Sequence, residues 1–291
     1  MNNAFQTALV QSLRRAGLAL LVLAAALPGL AQEAAKEARQ QLTVALSAPN
    51  KPGSLEVGLI FGFVHVTGYD GQAVVIDAVA SARPGGPRGH AAAPPNAATG
   101  LRRISTDARL DLTAEEKNNR VEITTGAPNQ AVDLTIRVPR HFSLKVSTVN
   151  QGDIVVENVA GELEVTNVNG PIQLSQISGS AVANTVNGNL TATFKSVTAG
   201  APMAFATLNG KVDVTLPGSV KAALKMKSDR GSIYSDFDVA LRKAAPTVTR
   251  SAQNGLTRVS TDAWTYGSLN GGGPEVTMKT MNGDIFLRKA K

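Results

Sequence analysis

Residues 146–192 read VSTVNQGDIVVENVAGELEVTNVNGPIQLSQISGSAVANTVNGNLTA, and one phrase returns through them. Thr148-Val149-Asn150 stands before Gly152, Asn167-Val168-Asn169 before Gly170, and Thr185-Val186-Asn187 before Gly188. These three glycines are 18 residues apart. The phrase continues as Thr207-Leu208-Asn209-Gly210, Ser268-Leu269-Asn270-Gly271 and Thr280-Met281-Asn282-Gly283, with a worn copy at Ser228-Asp229-Arg230-Gly231. A second series, Gly161, Gly179, Gly200 and Gly218, falls between the first. The unit is thus a half-repeat of nine residues, one turn and one short strand.

After each glycine, polar and apolar residues alternate. The apolar pairs are Ile154 and Val156, Leu163 and Val165, Ile172 and Leu174, Leu190 and Ala192, Val212 and Val214, and Ile285 and Leu287. Successive side chains of a strand point to opposite faces. These pairs therefore point inward, and Gln173, Thr191 and Asp213 outward. Asparagine and glycine both accept positive φ. Asn150, Gly152, Asn169, Gly170, Asn187, Gly188, Asn209, Gly210, Asn282 and Gly283 are accordingly expected to form structural turns. In a stack, asparagines at equivalent corners can also bond one another.

Two arrangements satisfy such a repeat. Asn-Gly favours tight hairpins, which supports an antiparallel β-meander or sandwich. But the Asn-Gly corners alternate with a different corner, Val159-Ala160-Gly161 or Ile177-Ser178-Gly179. Equivalence at every second strand is what coils produce. The expected fold is all-β: a single-chain β-solenoid of 18–22-residue coils with Asn-Gly corners and a thin core of Val, Ile, Leu and Ala. Aromatic residues make up only 4 % of the chain, as a narrow interior requires.

Strand-like text begins at Leu42–Leu46 and returns at Arg109–Leu112 and Asp133–Val138. Phe61-Gly62-Phe63-Val64-His65-Val66-Thr67-Gly68 reads as a first coil. Residues 285–291 (IFLRKAK) read as a charged far end that discourages further strand pairing. Residues 83–100 are rich in Pro, Gly and Ala and read as a flexible loop, with Arg83, Arg88 and His90 solvated.

The segments Gly62–Asp70 and Leu134–Pro139, and the Val-Asn-Gly-x-Ile phrases after them, resemble a bacterial β-strand-repeat family of candidate adhesins, a domain of unknown function. The resemblance covers residues 42–291 and implies an exported or envelope-associated β-solenoid without catalytic residues. The loop at 83–100 and the worn coil at Ser228–Ile233 depart from it.

Arg14 and Arg15 precede an apolar run at residues 16–27, and small residues Gly29 and Ala31 follow it. This is the form of a signal peptide over residues 1–31, and the run is short of the roughly 20 residues a membrane span needs. Residues 32–41 read as a polar leader and 42–291 as the repeat domain. The expected location is exported: periplasmic, cell-envelope or extracellular, with no transmembrane segment in the mature chain. No cysteine is present, so thiol chemistry, disulfides and a lipoprotein anchor are excluded. Net charge is +7, and residues 211–291 hold 13 basic and 7 acidic residues. A basic end on an exported protein suits anionic envelope polymers or lipid headgroups, or is simply a solvated surface.

Candidate chemistry is sparse. His65, His90 and His141 have no metal-ligand spacing, and no Gly-x-Ser-x-Gly elbow occurs. Asp153 and Asp284 occupy equivalent slots after turn glycines, but their coils are expected to lie far apart, too far for paired carboxylate catalysis. Gly271-Gly272-Gly273-Pro274 lacks the aspartate of a calcium repeat. No catalytic, metal-binding or cofactor-binding residue is expected, and no cofactor. Lys221, Lys225, Lys227 and Arg230 are the candidate anionic contact, and Trp264 and Tyr266 a candidate aromatic face or a cap over the last coils. Aromatic interleaving is missing, so no nucleic-acid partner is expected. The sequence reads as a non-catalytic, adhesin-like interaction or structural module for an envelope protein, glycan or anionic surface. The alternative is a glycan-active lyase or hydrolase on the same scaffold.

Overall fold

A computed structural model describes residues 39–81, 110–126, 131–150, 152–242, 247–253, 256–262 and 264–291. The side chains of Ser81 and residues 247–262 are outside that description. So are the expected signal peptide, the start of the leader and the 83–100 loop. Residues Glu37–Lys291 form one compact unit. Among the described residues every regular element is a β-strand. Twenty strands share one mixed sheet, and Thr247–Gln253 pairs with Leu256–Asp262 as a separate hairpin. Arg39–Ala45 is a strand, so the polar leader is already extended at its last three residues.

The pairings trace two ladders. The first runs, in space, Leu112–Lys117, Arg120–Thr125, Gly53–Phe61, Phe142–Asn150, Ala160–Asn169, the second half of Ile172–Asn187, Met203–Asn209, Glu275–Asn282, Ala222–Ser228, Thr265–Leu269 and Ala240–Arg242. The second runs Arg39–Ala45, Ala73–Ser81, Ala131–Pro139, Val64–Tyr69, Ile154–Glu157, the first half of Ile172–Asn187, Leu190–Val197, Val212–Leu216, Ile285–Lys289 and Ile233–Ser235. Within the repeat each strand pairs in parallel with its equivalent, as in Gly161 with Gly179 and Ile154 with Ile172. Successive repeat strands do not form the hairpins of a meander. All the predicted inward pairs are buried, and they belong with buried side chains of both ladders to one apolar cluster. Phe142, Phe194 and Phe205 are its largest members.

Two expectations about the ends are corrected. Val64–Tyr69 is not a first coil but lies between Leu134–Pro139 and Ile154–Glu157. Ile285–Lys289 is not a free end, because it pairs with Val212–Leu216 on one side and Ile233–Ser235 on the other. The Ser268–Gly271 phrase is not a repeat copy either. Its strand is antiparallel to Ala222–Ser228, and Asn270 and Gly271 turn with φ of 48° and 89°.

That turn also corrects the reason assigned to the Asn-Gly corners. Of their ten residues only Gly210 has positive φ. The glycines are required by stacking. A Cβ on Gly170 would lie 2.1 Å from the Gly152 carbonyl oxygen, one on Gly188 2.2 Å from that of Gly170, and one on Gly283 2.0 Å from that of Gly210. The asparagines form the expected column. Asn169 donates to Asn150 Oδ1 (3.2 Å), Asn187 to Asn169 (2.8 Å), Asn209 to Asn187 (2.7 Å) and Asn282 to Asn209 (2.6 Å).

Just before each asparagine the usual in-out pattern inverts. Thr148, Asn167, Thr185, Thr207 and Thr280 are buried, while Val149, Val186, Leu208 and Met281 are exposed. The buried hydroxyls explain this. Thr185, Thr207 and Thr280 each donate to the turn-glycine carbonyl of the adjacent rung at 2.9 Å. Asn167 holds the same slot and donates to Gly152 O at 2.6 Å, but its buried Oδ1 has no partner. A buried acceptor without a donor costs about 1–3 kcal/mol. Asn167→Thr keeps the donor and removes that oxygen. It is expected to raise stability by about 1 kcal/mol, read as a higher urea midpoint. A lower midpoint would mean that the second amide bond, to Pro171 O at 3.4 Å, outweighs the orphan.

Candidate functional site

The outer face of the first ladder ends in a cluster of cations and rings. Lys225 and Lys227 alternate with buried Leu224 and Met226, so both ammonium groups stand on the outer face. The next strand, Thr265–Leu269, is antiparallel, with Tyr266 opposite Lys225. Trp264, just ahead of that strand, places its ring 4.8 Å from Lys225 Nζ and 5.8 Å from Lys227 Nζ. Arg242, on the adjoining strand, lies 5.2 Å from the Tyr266 ring. A cation over a ring is drawn to the negative face of the π system. Lys227 also pairs with Asp229 at 3.1 Å. The exposed Lys279 is beside Lys227 in the parallel register.

The structure thus brings together Lys225, Lys227, Trp264 and Tyr266, two groups the sequence could not connect. It separates the other two candidates. Lys221 is exposed in the connection ahead of the Ala222–Ser228 strand. Arg230 takes the asparagine position of the worn copy of the phrase, and its guanidinium donates to Asn282 Oδ1 at 3.4 Å, closing the amide column. Sequence reasoning missed Arg242 and Lys279, whose only signal was the basic excess of residues 211–291.

A second aromatic group stands on the outer face of the second ladder. Tyr234 and Phe286 stack at 5.3 Å and 14°. Arg288 and Lys211 lie 5.1 and 5.9 Å from the Phe286 ring. Asp213, expected outside, is buried, because Arg288 binds both its oxygens at 2.7 and 3.2 Å and Lys211 reaches it at 3.4 Å. The bond to Asp213 holds the Arg288 guanidinium above its ordinary range. Asp153 and Asp284 stand four rungs apart, roughly 19 Å at the usual strand spacing. Asp284 accepts from the Ser232 amide at 2.8 Å, as a turn carboxylate does.

A stack of parallel rungs with stepped glycines, an amide column and one apolar core defines a class of repeat-built β protein. The toastrack DUF4097 family matches residues 142–288, half of the chain, and the chain belongs to this family. Two solved structures are similar over most of their length at 10 % identity. One is a candidate cell adhesion protein from Clostridium sporogenes, covering 88 % of this chain and all of that one, with a TM-score of 0.45. The other is a candidate adhesin from Bacteroides fragilis, covering 87 % of this chain and 97 % of that one, with a TM-score of 0.34. No curated protein matches the chain.

Proposed function

We propose that the protein is a non-catalytic, exported interaction module of the cell envelope, built as a β-solenoid and contacting an anionic partner through the basic end of its first ladder. Support for the coils comes from the register. Each 18–22-residue unit gives one strand to each ladder, and equivalent residues stack in parallel. The long Ile172–Asn187 strand passes from one ladder to the other, shifting register between Leu174 and Ser178. Support for export is the apolar run after Arg14 and Arg15.

The observation that carries the binding reading is the placing of Lys225 and Lys227 under Trp264, with Arg242 and Lys279 alongside. Rings that flank cations hold them at a surface while leaving their charge available. The partner's chemistry is that of carboxylates, phosphates or sulfates on an envelope protein, glycan or lipid. The test is co-sedimentation of residues 32–291 with cell-wall glycan and with phosphatidylglycerol vesicles at low and physiological salt. Binding is expected, and Lys225→Ala with Lys279→Ala weakens it about tenfold or more, since each lysine near an anionic surface contributes about 1 kcal/mol. Absence of binding to both, or binding indifferent to these substitutions, would remove the anionic contact.

A further inference from the structure

The outer face of the first ladder is polarised along its length, with an apolar middle. From Leu112–Lys117 to Thr265–Leu269 it spans ten strands. In the five strands at one end the outward residues include Glu56, Glu115, Glu122, Glu162 and Glu164, against Lys117, Arg120 and Lys145. At the other end stand Lys225, Lys227 and Lys279, against Asp229 and Glu275, with Arg242 just beyond. The two strands just past the middle, Ala181–Asn187 and Met203–Asn209, carry no charge at all outside, only Val182, Asn184, Val186, Ala204, Ala206 and Leu208.

An apolar stripe crosses the middle. The register stacks Ile60, Val149, Val168, Val186, Leu208 and Met281 in one row. All but the half-buried Val168 are 37–44 % exposed. A soluble surface seldom keeps such a row without a partner. The sequence maintains it in six successive rungs, in five of them next to a hydroxyl or amide that is buried instead.

We propose that this face binds a second copy of the chain, as a two-fold dimer whose axis lies in the interface, parallel to the strands, between Ala160–Asn169 and the second half of Ile172–Asn187. This rests on reading the basic end as a contact surface, and names as its occupant the acidic end of the same face. Turning the face about that axis reverses the order of the ten strands. Val168 then meets Val186, Val149 meets Leu208, and Ile60 meets Met281, so the stripe covers itself. At the ends Glu122 meets Lys225, and the neighbourhood of Glu56 meets Lys279. The two free acids fit this role. Among the described residues the side chains of Glu115 and Glu122 make no hydrogen bond or ion pair, whereas Glu56 is held by Lys145 at 3.1 Å and by Arg120.

The size fits as well. Ten strands at about 4.8 Å by six residues at about 3.3 Å give roughly 900 Å² per partner, close to the ~800 Å² of a standard interface. A two-fold interface must be self-complementary, and a face with opposite charges at its ends meets that condition.

The test is sedimentation equilibrium of the purified protein from about 1 to about 100 μM, at low and physiological salt, where a dimer of about micromolar Kd is measurable. A dimer weakened by salt is expected. Val186→Glu, beside the axis, abolishes it. Glu122→Lys and Lys225→Glu each weaken it at least tenfold. Mixing these two variants restores a heterodimer to within about threefold of the parent affinity, because each chain then offers the charge the other lacks. Circular dichroism checks the Lys225→Glu fold, and Val186→Glu changes an exposed side chain only. A monomer throughout, a dimer indifferent to Val186→Glu, or no recovery on mixing would each overturn the proposal. Vesicle sedimentation below the dimer Kd is independent of these outcomes, so failure here leaves the anionic-contact reading standing, and failure there leaves the dimer.

Discussion

Gly188→Ala is expected to lower stability by about 3 kcal/mol or more, among the largest losses a single methyl can cause. The added Cβ would sit 2.2 Å from Gly170 O, 2.5 Å from Gly170 C and 2.8 Å from Pro171 N. All three are backbone atoms of the adjacent rung, so no side chain can swing aside. Relief requires the rungs to part, and they are fastened by the Thr185 hydroxyl to Gly170 O (2.9 Å) and by the Asn187–Asn169 amide bond. Gly200→Ala is the matched control. Gly200 has φ of 87° and open space where a Cβ would go. Its cost is only backbone strain, about 1–2 kcal/mol. Urea midpoints of the two variants separate the causes. A larger loss at Gly200 than at Gly188 would mean that the corner glycines serve backbone freedom after all.

The same contrast explains what could be read from the sequence. The phase of the repeat and its alternation located the inward pairs from Ile154 to Leu287, because burial on one face of a strand leaves a period of two. The amide column was legible too, since identical side chains at one phase can bond their own kind. The reason for glycine was not. Asn-Gly is a hairpin signature, and nothing in a single line of residues reveals that the neighbour is another glycine's carbonyl. Thr185 and Val186 show a related limit. Reading apolar as inside fails where a hydroxyl has a buried carbonyl to satisfy.

The basic–aromatic cluster was half legible. Lys225 and Lys227 share a face by alternation, as Trp264 and Tyr266 do. Their meeting depends on an antiparallel strand about 40 residues downstream, and long-range register leaves no local trace. Asp213 shows the opposite error. It points outward as expected, yet Arg288, far along the chain and adjacent only through the inserted tail, covers it.

That tail gives the second large effect. Ending the chain at Pro274 is expected to abolish cooperative folding. Glu275–Asn282 lies between Met203–Asn209 and Ala222–Ser228, and Ile285–Lys289 between Val212–Leu216 and Ile233–Ser235. The deletion removes the fully buried Val276, Met278, Ile285 and Leu287. At about 1.5–3 kcal/mol each this is about 6–12 kcal/mol, on the scale of the whole stability of a domain, about 5–15 kcal/mol. It also leaves strand edges open on both sides of the gap, which invites aggregation. Closing the gap would require the Ala222–Ser228 strand to move one rung, placing Asp229 beside Leu208 in the apolar row and breaking the Ser228 bond to Gly283 O. Removing Arg39–Ala45 instead tests position against length. That strand pairs on its described side with Ala73–Ser81 alone and buries Leu42 and Val44 only in part. Its loss should leave a cooperative melt shifted by a few degrees. A Pro274-terminated chain that melts as cooperatively as this control would show that the tail is an appendage and not a rung of the stack.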